Sequence, residues 1–206
     1  MLVPQIAGAE LEDLRTAARV AVQTVVASDP DVIVVIAATS AEYRYDGRAT
    51  FSWHGFGVGN APSAPPAPVL PWQLGLGAWL IDDAGWRGAR SFVGVRDASV
   101  APPQLEQAGL LVLGDGSARG SERAPGHFDD RAAAWDRKLA DLLATGDAVG
   151  IRGIDSAHGR DLLSPAAITF PVAAAACTAL PRPKAEIGYD ASPYGVGYFV
   201  ATWRFD

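Results

Sequence analysis

Two continuous apolar runs and three helical stripes give this chain its skeleton. Val32-Ile33-Val34-Val35-Ile36-Ala37-Ala38 is apolar at every position and mostly β-branched, as suits a central strand covered on both faces. Leu110-Leu111-Val112-Leu113-Gly114 reads in the same way. Leu11, Leu14, Ala18, Ala21, Val22 and Val25 recur at helical spacing, so residues 10–28 read as an amphipathic helix stopped by Asp29-Pro30-Asp31. A second helix is expected over 71–83, with Trp72, Leu76, Trp79 and Leu80 on one face and Pro71 in its first turn. Trp135, Leu139, Leu142 and Leu143 mark a third, capped by Asp129 or Asp130 and ended at Gly146.

Residues 90–95 read as a further strand, 156–163 and 165–180 as short helices, and 185–189 and 196–203 as closing strands. Periodicity fails from 43 to 71, where glycines and the 62–68 proline tract predict an irregular loop with a short strand near 49–53. A loop of that length serves as a lid or binding loop. It is expected to cover the strand exits and to be held by few contacts. The pattern predicts one domain over 1–206, a three-layer α/β/α sandwich around a mixed, largely parallel sheet. The runs at 32–38 and 110–114 should be neighbours with their exits on a common cleft, where ligands bind in such folds.

Composition narrows the class. With 49% hydrophobic and 19% charged residues, the 206-residue chain has an ordinary globular balance. A net charge of -6 argues against a broad nucleic-acid footprint. The apolar runs are too short to span a bilayer, and Met1-Leu2-Val3-Pro4 lacks the basic and apolar regions of a signal peptide. Cys177 is the single cysteine, in a small-residue segment that suits a buried inert thiol, and a reducing cytoplasm is the expected compartment.

The strand exits supply the candidate chemistry. Asp115, Ser117 and His127 are the candidate catalytic residues. In the Gly114-Asp115-Gly116-Ser117 turn, successive backbone N–H groups could cradle an anion and Asp115 could orient a ligand hydroxyl. Asp, Gly and Ser are also ordinary turn residues that need no ligand. Thr39, Ser40, His54, Gly116, Arg119, Glu186 and Tyr194 are candidate ligand-binding residues, with Arg119 supplying charge for a carboxylate. The three histidines, His54, His127 and His158, share no metal-ligand spacing. His158 reads as a solvated residue at a helix end.

Three segments in order carry a family resemblance: Leu2-Val3-Pro4-Gln5-Ile6-Ala7-Gly8; Gly114-Asp115-Gly116-Ser117 through Ala124-Pro125-Gly126-His127-Phe128-Asp129 to the helix at Trp135; and Ala185-Glu186-Ile187-Gly188-Tyr189-Asp190 with Pro193-Tyr194-Gly195-Val196-Gly197-Tyr198-Phe199-Val200-Ala201-Thr202-Trp203. Together they resemble the LigB-type chain of the class III extradiol ring-cleavage dioxygenases. That LigB-like superfamily includes the Memo proteins, and the likeness is in particular to its small actinobacterial members. The resemblance implies the LigB-like fold. It implies Fe(II) held by two histidines and a glutamate, with a further histidine as acid/base. A facial triad of that kind leaves iron open positions for catechol and dioxygen.

Residue by residue, that set does not carry over. The first histidine precedes Leu2-Val3-Pro4, where the chain has Met1. The second follows the 32–38 strand, where it has Thr39-Ser40. The acid/base histidine follows the 110–114 strand, where it has Asp115 to Arg119. Glu186 is the nearest candidate for the glutamate. The expectation is therefore an inherited fold without the iron centre, no bound cofactor, and a small aromatic or carboxylated ligand. The alternative is a non-catalytic Memo-like binding or assembly protein using the same cleft for a ligand or partner. Neither nucleic acid nor membrane is an expected partner, and self-association is left open.

Overall fold

The computed structural model describes residues 11–59, 67–103 and 107–205. Among them a four-stranded sheet is ordered β2-β3-β1-β4, with β1 at Val32–Ala38, β2 at Tyr43–Asp46, β3 at Ala89–Val95 and β4 at Ala108–Leu113. β1 pairs in parallel with β3 and β4, and β2 runs antiparallel to β3. The fold is thus mixed α/β on a mostly parallel sheet. β1 is the central strand, buried at five successive positions from Ile33 to Ala37. β4 is half-buried instead, because among the described residues it has a partner on one side only.

The alternation of β1 side chains assigns its two faces. Ile33, Val35 and Ala37 pack with Val22 of α1 (Glu12–Ala27) and with Leu74, Ala78 and Ile81 of α2 (Trp72–Asp83). Val34 and Ile36 pack with Val172 and Ala173 of α6 (Ala166–Cys177). A strand clothed on both faces reads as a continuous apolar run. In α2 the buried face is Leu74, Gly75, Gly77, Ala78, Leu80 and Ile81, whereas Trp72 is exposed. Small residues let the helix lie close on the sheet: a Cβ at Gly77 would run into Val35, and one at Gly75 into Phe51.

Several expectations change. Tyr43–Asp46 is a strand, the antiparallel edge of the sheet, within a region that reads as loop. No strand forms at 49–53; Thr50 and Val69 make an isolated bridge, and a short 3-10 turn spans Trp53–Phe56. Phe51, Trp53, Phe56 and Trp72 form a chain of edge-to-face contacts, and Ala49 and Leu70 are buried. This region is therefore tied to α2 by its aromatics; residues 60–66 lie outside the described ones.

Helix α3 is Ala132–Thr145, ended by Gly146 in the left-handed conformation. Asp129 does not occupy the cap; its carboxylate accepts the Arg131 N–H at 3.0 Å and bonds the Arg131 guanidinium, shaping the turn that leads in. Two short helices follow, α4 (Ala148–Arg152) and α5 (Ser156–Asp161). Asp155 caps α5 by accepting from the Ala157 and His158 amides.

The last two strands, β5 (Lys184–Ala191) and β6 (Tyr198–Arg204), do not join the main sheet among the described residues. They make a separate antiparallel hairpin with an irregularity at Gly188. β5 alternates exposed and half-buried positions. α1 and α3 pack against it, and Trp203 Nε1 donates to the Leu143 carbonyl of α3 at 2.8 Å. No helix among the described residues is long and apolar enough to cross a membrane.

Candidate site at the exits of β1 and β4

Parallel pairing of Ala37 with Leu113 brings Thr39 and Asp115 out at the same end of adjacent strands. The exit of β4 is then fixed from three sides. A Cβ at Gly114 would collide with Thr169 and stand 2.9 Å from the Ala166 Cα, so only glycine lets β4 pass this close to α6. The Asp115 carbonyl accepts from the Ser164 hydroxyl and the Ala166 amide, both at 3.0 Å. Gly116 donates to the Gly197 carbonyl at 2.8 Å and Gly197 returns a bond to Ser117 at 2.9 Å, which joins the turn to the approach of β6.

The turn does not offer an anion cradle. The N–H groups of Gly116 and Ala118 are taken by the carbonyls of Gly197 and Leu162, and those of Ser117 and Arg119 by the Asp136 carboxylate and the Ser117 hydroxyl. The Ser117 hydroxyl itself donates to Leu162 at 3.1 Å and is wholly buried. Buried polar groups are satisfied within the protein. Ser117 and Gly116 therefore build the turn, which holds Asp115 in place.

Two carboxylates here are shifted in the same direction. Asp136 of α3 is buried and accepts the Ser117 amide at 2.7 Å. Desolvation pushes its pKa up to about 6, with the neighbouring charge of Asp190 adding to the rise and the amide bond opposing it. Asp115 is exposed at its own surface, yet the protein gathered around it removes enough bulk water to raise it to about 6 as well, desolvation being the cause. Among the described residues its carboxylate receives no hydrogen bond from a side chain or backbone group. Burial pushes the Tyr198 phenol up to about 12, and the charge of Asp115 adds to it, followed by Tyr189 and Tyr194. An acid and three phenols thus share one electrostatic neighbourhood.

Tyr194 sits in the hairpin turn with φ 58 and its side chain exposed. A left-handed backbone is rare for an aromatic residue, and such conformations persist where the surroundings enforce them. Here the Gly120–Gly195 bond at 2.8 Å and the close packing of Gly195 on Ser121 fix the turn.

The remaining sequence candidates disperse. Thr39 turns its hydroxyl back onto the Ala41 carbonyl at 2.6 Å, while Ser40 is exposed beside it. His54 lies in the 3-10 turn next to the aromatic chain, exposed, with its amide held by Ser52. His127 is exposed with φ 59 ahead of α3. Arg119 is half-buried, with an Nε that has no hydrogen-bond partner among the described residues. Glu186 is on β5, where it lines a groove against α1 with Asp13 and Thr16. His158 lies in the last turn of α5 but is half-buried, its ring edge-to-face with Trp135 at a centroid separation of 5.6 Å.

Two residues at the centre of this arrangement are absent from the sequence candidates. Asp136 occupies a buried stripe with Ala132, Trp135, Leu139 and Ala140, so a carboxylate in an otherwise apolar helical stripe is the available signal. Tyr198 shows no such signal, since an aromatic strand residue reads as packing.

Among the described residues the donor set does not fit the Fe(II) triad that the family resemblance implies. The histidines sit on three separate elements, and no group of three or more His, Cys, Asp or Glu side chains that could hold a metal ion occurs among the described residues. The Leu2 to Gly8 segment lies outside them. Compared with known proteins, the chain matches no family model and no curated protein.

Proposed function

We propose that this chain is a LigB-like protein, a three-layer α/β/α sandwich related to the LigB-type chain of the class III extradiol dioxygenases. In this reading it binds a small hydroxylated aromatic or carboxylated molecule at the β1 and β4 exits without an iron centre. The observation that carries the reading is Asp115: a carboxylate with no hydrogen-bond partner among the described residues, raised to about 6, at the strand exit where α/β folds take ligands. Above that pH it accepts a hydrogen bond from a ligand hydroxyl; below it, the protonated acid donates to a ligand carboxylate. Tyr194, exposed in its enforced turn, supplies an aromatic wall and a phenol. A cytoplasmic setting belongs to the same proposal.

Calorimetric titration of metal-free protein with protocatechuate tests it. Saturable binding is expected, weakened roughly tenfold in Asp115→Asn, the loss of one charge-assisted hydrogen bond. Absence of saturable binding, or equal affinity in Asp115→Asn, overturns the reading.

A further inference from the structure

A concave site lies at the opposite end of the sheet from Asp115. It is a cleft of about 440 Å³ where β2 ends and β3 begins, lined among others by Arg48, Arg87, Arg90, Asp46, Asp82 and Trp86. Small-molecule pockets run from about 300 to 1,000 Å³. Three guanidinium groups meet two carboxylates, and both carboxylates are committed. Asp46 accepts Arg48 Nε and Nη2 at 3.1 and 2.8 Å, and those bonds hold its pKa low. Asp82 accepts Arg90 Nη1 at 2.7 Å, with Arg87 Nη1 at 3.7 Å from the same oxygen. Arg87 also donates to the Trp86 carbonyl at 3.0 Å. Each guanidinium carries five N–H donors, so most of them remain unspent among the described residues.

The three arginines differ in freedom. Arg90 is 26% exposed and anchored by Asp82, Arg48 is 87% exposed but held by its two bonds to Asp46, and Arg87 is 75% exposed and can swing toward a ligand. The walls have no room for added side chains. A Cβ at Gly88 would strike the Trp86 ring, and one at Gly47 would stand 3.0 Å from the Arg90 carbonyl. The Trp86 indole N–H is committed to the Ala89 carbonyl at 3.1 Å, which fixes the ring and leaves it as an apolar surface.

We propose that this cleft binds a phosphate monoester dianion, its phosphoryl oxygens on Arg90, Arg87 and Arg48 and its organic part along Trp86. Planar guanidinium forks match phosphate oxygens in pairs, and two cations held in place with a mobile third suit a charge of minus two. The volume exceeds what inorganic phosphate fills and leaves room for the organic part of an ester.

Calorimetric titration with phenyl phosphate and, separately, inorganic phosphate at constant ionic strength is the test. The expected results are a Kd for phenyl phosphate of about 1 mM or tighter and inorganic phosphate weaker by about threefold or more. Arg87→Gln, a change at an exposed position that leaves the fold alone, should weaken the ester by about fivefold or more. Arg90→Gln should weaken it further, with folding checked by circular dichroism. No saturable binding of the ester, equal binding in Arg87→Gln, or inorganic phosphate binding as tightly as the ester would each overturn the proposal.

Discussion

The Ser117 amide donates to the Asp136 carboxylate at 2.7 Å, and this bond ties the exit turn of β4 to helix α3. The acceptor is a buried acid whose pKa is raised by desolvation from 3.8 to about 6. A carboxyl that binds its proton more tightly in the folded state adds stability when protonated. That stability is complete below about 3.8 and is lost as pH rises through about 6.

Asp136→Asn keeps an oxygen for the Ser117 amide and removes the ionisation. The variant should show a flatter stability–pH profile than the parent, with the difference between pH 4 and 8 reduced by about 1–3 kcal/mol. Urea unfolding at several pH values measures it. Parallel profiles for the two proteins would mean that Asp136 is not raised.

Gly197 and Gly116 leave room for that acid. A Cβ at Gly197 would stand 2.5 Å from Asp136 Oδ2, and one at Gly116 2.5 Å from Oδ1. The carboxylate cannot yield, because the Ser117 bond pins it. Gly197→Ala should therefore destabilise by about 1–3 kcal/mol. Gly55→Ala, where nothing lies within 4 Å, should stay within about 0.5 kcal/mol of the parent. Thermal melts of both variants supply the comparison.

The skeleton is legible because its cues are local. Val32 to Ala38 is apolar throughout since both its faces are covered, and Gly146 ends α3 in the left-handed conformation that glycine favours. Tyr43–Asp46 gives no such cue, because an edge strand of four residues, Tyr-Arg-Tyr-Asp, carries too few positions to establish a period. In α2, Leu80 is buried and Leu76 and Trp79 pack against the core as the apolar stripe implies, but Trp72 is exposed and Gly75 and Gly77 meet the neighbouring elements, and a glycine contact has no hydrophobic signature. At the exit turn, Gly-Asp-Gly-Ser suggests free amides when read alone. Their acceptors, Gly197, Asp136 and Leu162, come from elements 19 or more residues away in the chain, which no local pattern reveals.

Tyr198 provides a readout of Asp115 that requires no ligand. Its phenol is pushed up to about 12, first by burial and then by the Asp115 charge. Asp115→Asn removes the second cause and leaves the first. The Tyr198 pKa should fall, yet remain above the ordinary value of 10.0. Alkaline titration followed by phenolate absorbance, with Tyr198→Phe used to assign the transition, detects the shift. An unchanged Tyr198 would separate the two groups electrostatically and weaken the case for a shared site.

Iron chemistry separates the proposed ligand-binding reading from a catalytic one. Extradiol cleavage needs Fe(II) held by a facial set of ligands with positions left for substrate and dioxygen. At the exit of β1 the chain presents Thr39, whose hydroxyl is bonded to the Ala41 carbonyl, and Ser40. At the exit of β4 it presents a turn whose Ser117 is buried and whose amides are consumed within the protein. In that turn Asp115 alone is a carboxylate donor, and one carboxylate does not make a triad. His158 is packed on Trp135, while His54 and His127 sit on other elements. Loss of outer-shell partners alone weakens metal binding by about ten- to a hundred-fold, and loss of ligands weakens it further. Protein incubated anaerobically with Fe(II), desalted and given protocatechuate with oxygen is expected to retain no stoichiometric iron and to form no ring-cleavage product. Retention of one iron per chain together with product would restore the catalytic reading and displace the proposed ligand binding by Asp115.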